Sequence, residues 1–258
     1  MKKWLTLLLA GIMLFATFGL VGCNEEKQPT LYVYTNAGFP PYEYLNEKGE
    51  VAGVDVDLMK EIGSILGYKV VIKDIEFNSI LNEVAKNEYA VGAAGMTQKP
   101  DRDAVALASK VYSNSVQYVI ADKNAFAEGE KVSLEELATY VADKKIGVQK
   151  GTTGCDLVKA DYEALTVEYS NAILASQDIG TALKAVVIDK LPAQSIANDN
   201  ANLACWEVDA ESESYVLYFN KNATELVQKV NEILDVMTRD SSNFIQYLIS
   251  KHTEILAD

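Results

Sequence analysis

A short apolar run at residues 31–34, Leu-Tyr-Val-Tyr, gives way to a stretch of helical period, and the two signals then alternate. Val54, Leu58, Ile62, Ile65 and Leu66 recur at helical spacing until Gly67, a stop signal. Residues 68–75 form a β-branched run that reads as a strand, Ile80, Leu81 and Val84 mark a short helix, and residues 89–94 read as another strand. Strands that alternate with helices need crossover connections, so the class is α/β with a largely parallel sheet.

The pattern then repeats. Ser133 and Glu136 stand at capping-box spacing, and residues 146–148, 167–169, 185–188 and 215–219 read as strands. Two helical stretches close the chain, one with Leu226, Val230 and Ile233 on a face, the other with Phe244, Leu248 and Ile249. The apolar runs 116–121 and 215–219 flank the second half and are candidates for strands crossing between two lobes. Such folds bind ligands in the crevice beyond the carboxyl ends of their strands.

Composition removes several function classes. With 37 acidic against 23 basic residues the formal charge is −14, which gives no electrostatic footprint for nucleic acid. The same charge repels anionic lipid unless an anchor intervenes. One histidine and three cysteines argue against a Ser-His-Asp triad, a multi-His metal site and a four-Cys zinc site, so no cofactor or metal is expected. His252 reads as an exposed helical residue.

Met1-Lys2-Lys3 is a short positive segment, and residues 4–20 then carry no charge. That length fits a signal sequence or a short membrane span. Leu20-Val21-Gly22-Cys23 resembles a bacterial lipobox, which selects a signal peptide over 1–22, a lipidated Cys23 and a polar tether over 23–30. The protein is then exported and lipid-anchored, on the outer face of the cytoplasmic membrane or in the periplasm. That compartment permits disulfides, and Cys155 and Cys205 are the candidate pair, with their pairing left open.

Five phrases occur in order along residues 31–250. They are Phe39-Pro40-Pro41-Tyr42-Glu43-Tyr44, Gly53-Val54-Asp55-Val56-Asp57-Leu58, Gly95-Met96-Thr97 with Arg102, the run 147–154 ending Gly151-Thr152-Thr153-Gly154, and Ile188-Asp189. Together they resemble the family 3 solute-binding proteins of bacterial ABC importers, which bind polar amino acids. The resemblance implies a two-lobed, periplasmic-binding-protein-like type II (Venus-flytrap) fold with two crossover strands. Lobe 1 would comprise 31–117 and 218–258, and lobe 2 would comprise 118–217. It implies a monomer that captures a free amino acid and passes it to an ABC permease in the membrane.

A free amino acid presents a carboxylate and an ammonium on one carbon. Arg102 suits the carboxylate, because its planar fork can bond both oxygens, and Asp189 at a strand end suits the ammonium. Thr97 and the Gly95 carbonyl offer further contacts. The turn that carries Thr153 opens an apolar-periodic stretch, and its amides favour a carboxylate. By the resemblance, Phe39 and Phe77 pack on the ligand's carbon chain. Asn36 stands where several members carry an acid, which favours a neutral or polar ligand over arginine or lysine. Asp55 and Asp57 read as structural residues near a helix start.

Plainer readings stand beside these. Arg102 could pair with Asp101 or Asp103, Asp189 could be an ordinary loop carboxylate, and both phenylalanines could be core. There are also departures from the family pattern: Ala90 and Lys184 replace acids, residues 178–184 look one residue short, and Lys99 replaces a threonine. Two further functions remain in view, a dehydratase, with Glu43, Glu76 and Lys99 as nearby candidate acids, and a surface adhesin.

Overall fold

The computed structural model describes residues 28–142, 144–239 and 243–257. The expected signal peptide, residues 1–22, and the expected lipidation site Cys23 lie outside the described residues.

Two five-stranded sheets carry the chain. The first has the order Lys69–Asp74, Thr30–Thr35, Ala90–Gly92, Tyr218–Phe219, Leu107–Ala108. Its first three strands are parallel, and Tyr218–Phe219 runs antiparallel to both neighbours. The second has the order Thr166–Tyr169, Lys145–Gln149, Leu183–Asp189, Gln117–Asp122, Leu203–Glu207. Its first three strands are again parallel, and Gln117–Asp122 runs antiparallel to both its neighbours. Each sheet is the base of one lobe. The α/β, two-lobed expectation therefore holds.

The helices form where apolar spacing and end signals agree. Val54–Leu66 buries Val54, Leu58, Met59 and Ile62 and stops at Gly67, whose φ of 77° is left-handed. Leu134–Val141 begins with the anticipated capping box: Ser133 Oγ accepts from the Glu136 amide at 3.2 Å, and Glu136 Oε2 accepts from the Ser133 amide at 2.9 Å. Along Leu183–Asp189, Val186 and Ile188 face one buried cluster while Ala185 and Val187 face another. Helices thus cover both faces, and each fully buried Val or Ile contributes about 1.5–3 kcal/mol.

The crossover strands differ from expectation. Apolar patterning points to the runs 116–121 and 215–219, yet the pair that joins the lobes is Ser113–Ser115 with Glu213–Tyr215, antiparallel. The apolar runs beside them belong to the two main sheets. Ser-Asn-Ser and Glu-Ser-Tyr bear no hydrophobic alternation, so periodicity does not reveal this hinge.

His252, expected to be exposed on its helix, is buried. Its Nδ1 lies 3.0 Å from the Tyr44 hydroxyl and its Nε2 lies 3.0 Å from Asp57 Oδ2, which also takes Lys251 Nζ at 2.6 Å. Burial lowers the imidazole pKa, against the pull of Asp57. Asp57 therefore pins the Phe244–Ala257 helix to the Val54–Leu66 helix.

Cys155 and Cys205 are free. Cys155 packs in one core cluster and Cys205 against another, on opposite faces of the second sheet. A disulfide cannot pass through the sheet.

Candidate functional site

Phe39, Phe77, Gly95, Thr97, Arg102, Thr153 and Asp189 all line one cavity between the lobes. Glu43, Gln149 and Thr152 join them there. Asn36 stands behind this wall; its Oδ1 accepts from Gln149 Nε2 at 2.8 Å, and its own amide donates to the Ile75 carbonyl at 2.8 Å.

Arg102 sits on the short helix Pro100–Val105 of the first lobe and is 5% exposed. Its Nη1 donates to the Thr97 carbonyl at 2.8 Å, and its Nη2 reaches the second lobe's Gly151 carbonyl at 3.0 Å. The guanidinium lies 5.2 Å from the centre of the Phe77 ring. Burial lowers its pKa, which neighbouring Tyr218 and acidic groups oppose. The plain ion-pair reading does not describe it, since its hydrogen bonds go to carbonyls.

Asp189 ends the central strand of the second lobe and is 4% exposed. Tyr215 donates to its Oδ1 at 2.6 Å. Burial, and then the charge of Glu213, push its carboxyl up to about 7. Arg102 and Asp189 thus bring opposite charge preferences to one cavity from opposite lobes.

Gly95 owes its position to Asp55, whose Oδ2 accepts the Gly95 amide at 2.9 Å. Tyr112 donates to the same carboxylate at 2.8 Å. The structural reading of Asp55 fits these contacts; burial raises its pKa to about 6. Gly95 has φ 51°, and a Cβ there would stand 2.6 Å from Phe39 Cε1. Only glycine lets that ring close the cavity.

Thr153 opens the helix Thr153–Tyr162, capped by Thr152, whose hydroxyl accepts from the Cys155 amide. Lys99 bridges the lobes at the rim, with Nζ 2.7 Å from Asp156 and 3.2 Å from Asp101. The short segment before Asp189 closes through Gly180, φ 93°, and a register shift between Leu183 and Ala185. The strand beyond it delivers Asp189 regardless.

Glu43, Gln149 and Glu213 were, like Thr152, not assigned to binding from the sequence. Glu43 is 1% exposed, and its Oε2 has no hydrogen-bond partner. Paired backbone bonds to Phe39, from each amide to the other's carbonyl at 2.8 and 3.1 Å, hold it there. Burial, and then Asp55, Asp189 and Asp74, raise its pKa well above the ordinary carboxylate range. Gln149 Oε1 is a second buried acceptor without a partner. Glu213 Oε2 accepts from both Thr97 Oγ1, at 2.5 Å, and Thr153 Oγ1, at 2.8 Å. Among the described residues no group of three or more His, Cys, Asp or Glu is arranged to hold a metal.

Two lobes, a two-strand hinge and a cavity with opposed Arg and Asp walls form one constellation. The profile of the bacterial extracellular solute-binding proteins, family 3, matches residues 31–246. The chain belongs to that family. Similar proteins include the arginine-binding extracellular protein ArtP of Bacillus subtilis, 27% identical over 250 residues, 92% of this chain and 93% of ArtP. The putative ABC transporter arginine-binding protein 2 of Escherichia coli is 26% identical over 237 residues, 89% of this chain and 92% of its own. Among solved structures, the Gly52Ala mutant of arginine-bound ArgBP from T. maritima superposes with a TM-score of 0.73 at 28% identity, covering 81% of this chain and 95% of that one.

Proposed function

We propose that this protein captures a free polar amino acid outside the cytoplasm, closes its lobes on it and delivers it to an ABC permease, with arginine the first candidate ligand. The observation that carries the reading is the pairing of Arg102 and Asp189 on facing walls of one cavity. A zwitterion satisfies both at once, carboxylate to guanidinium and ammonium to carboxylate. Contact with both lobes stabilises the closed state over the open one, which is how binding drives closure.

The side-chain preference follows from the unpaired acceptors. Asn36 suggested a neutral or polar ligand, but its amide is engaged with Gln149 and Ile75. The acid that faces the cavity is Glu43, joined by Gln149 Oε1, and neither oxygen has a partner. Buried polar oxygens without partners are costly, and burial pushes Glu43 toward its neutral form for want of a cation. A ligand with a donor-rich end relieves both. Burial favours the protonated form of Glu43, and a ligand guanidinium would draw it back to the ionised form, after which charge balances, since Arg102 alone faces Asp189 and Glu43 in the wall. Glutamine, with a neutral donor end, ranks second. The arginine-binding names of the two relatives support this order.

The reading includes an exported, monomeric, lipid-anchored protein with Cys23 as anchor, and lobes divided as 31–117 with 218–258 against 118–217. It is a binding function with no chemistry on the ligand. The direct test is thermal denaturation with each standard amino acid, after unfolding and refolding to strip carried ligand. A ligand at about 100 times its dissociation constant adds roughly 2.7 kcal/mol, visible as a raised midpoint. A rise with arginine supports the reading; no rise with any amino acid refutes it.

A further inference from the structure

Glu213 lies in the hinge strand Glu213–Tyr215, just behind the cavity wall and facing the open mouth that Lys99 and Asp156 also line. Its Oε1 accepts from Gln117 Nε2 at 2.9 Å, and its Oε2 accepts from the hydroxyls of Thr97 and Thr153. Both threonines line the cavity; Glu213 does not.

An ionised carboxylate only accepts hydrogen bonds, and a hydroxyl has one proton and two lone pairs. Each threonine therefore commits its single proton to Glu213. What remains on each oxygen is acceptor capacity. A threonine left free to rotate would offer a ligand either a proton or a lone pair. Held by Glu213, it offers lone pairs alone. Asp189 is a third acceptor on the same cavity. An ammonium group carries three donors, so three acceptors suit it. The shared oxygen also joins Thr97 of the first lobe to Thr153 of the second, so this arrangement exists only with the lobes closed.

We propose that Glu213 is a positioning residue of the ligand site, which fixes the Thr97 and Thr153 hydroxyls as acceptors for the ligand's ammonium group. This rests on the amino-acid reading above. Glu213 acts through the threonines and does not touch the ligand.

A double-mutant cycle tests it, with the dissociation constant of L-arginine measured by calorimetry on the wild type, E213Q, T97V and the E213Q/T97V pair. Glu213→Gln keeps the shape but removes the charge, and its amide group presents donors where the carboxylate only accepted. Removing the charged acceptor is expected to weaken binding about tenfold in the wild type, the scale of one charge-assisted hydrogen bond. In the T97V background its cost should shrink to about threefold or less, because one of its two routes is gone. A purely structural role at the hinge would cost the same in both backgrounds, and that result overturns the proposal, as does an unweakened E213Q. Thermal midpoints of the ligand-free variants report folding, and Glu213→Ala replaces E213Q in the cycle if the latter does not fold. Absence of arginine binding by the wild type refutes the functional reading and this proposal with it. Binding by the wild type with an additive cycle refutes this proposal alone.

Discussion

Arg102 of the first lobe donates through Nη2 to the carbonyl of Gly151 in the second, across 3.0 Å. The residue suited to the ligand's carboxylate is thus also a bond between the lobes. Gly151 directly precedes the threonines at the start of the helix Thr153–Tyr162, so closure sets the guanidinium beside that helix's free amides. In the proposed function, recognition and closure share this one side chain.

Replacing Arg102 by Ala removes both at once. Truncating one member of a buried charge pair costs about 2–5 kcal/mol, a loss of roughly thirtyfold or more in affinity. Arg102→Lys should recover only part of this, because an ammonium cannot grip two oxygens in one plane. Calorimetric titration of both variants with L-arginine checks the order, wild type over lysine over alanine.

Asp189 gives the site a pH dependence. Its carboxyl is pushed up from 3.8 to about 7 by burial and Glu213. A carboxyl raised on folding contributes stability that is full below its unfolded pKa and is lost as pH rises through the folded value. Asp189→Asn should therefore gain on the wild type in ligand-free thermal midpoint between about pH 4 and about pH 8. Ligand binding runs the other way, since an ammonium prefers the ionised carboxylate. Affinity should rise through pH 7, and the binding heat should depend on buffer ionisation as a proton leaves Asp189.

In the proposed function Glu43 carries the side-chain preference. Glu43→Gln should shift the affinity ratio of L-arginine to L-glutamine by about 1–3 kcal/mol toward glutamine, the usual reach of one specificity contact. Paired titrations of the two amino acids measure that ratio. An unchanged ratio would mean the ligand's side chain meets other groups.

The parts of the site that are legible in the sequence, Phe77 apart, share one property: each lies in a contiguous phrase or at the end of a strong apolar strand. Gly95, Thr97 and Arg102 fall within eight residues, and Asp189 ends the buried run Leu183–Asp189. The hinge was not legible, because Ser113–Ser115 and Glu213–Tyr215 are short and largely polar. Glu213 gains its meaning only when Thr97 and Thr153, 56 residues apart in sequence, are brought to one oxygen. Glu43 hid among the aromatic residues of its own phrase, and a turn pairing it with Phe39 directs it inward. The burial of His252 was readable in principle. It stands four residues after Leu248 and seven after Ile245, on the same buried helix face.

The central claim is that one amino acid binds between Arg102 and Asp189. It is tested most directly by calorimetric titration of L-arginine into the purified, ligand-stripped protein, alongside Arg102→Ala. The account predicts equimolar, saturable binding that Arg102→Ala abolishes or weakens by roughly thirtyfold or more. Binding that survives unchanged in Arg102→Ala, or no binding of L-arginine or any other amino acid by the wild type, would contradict it.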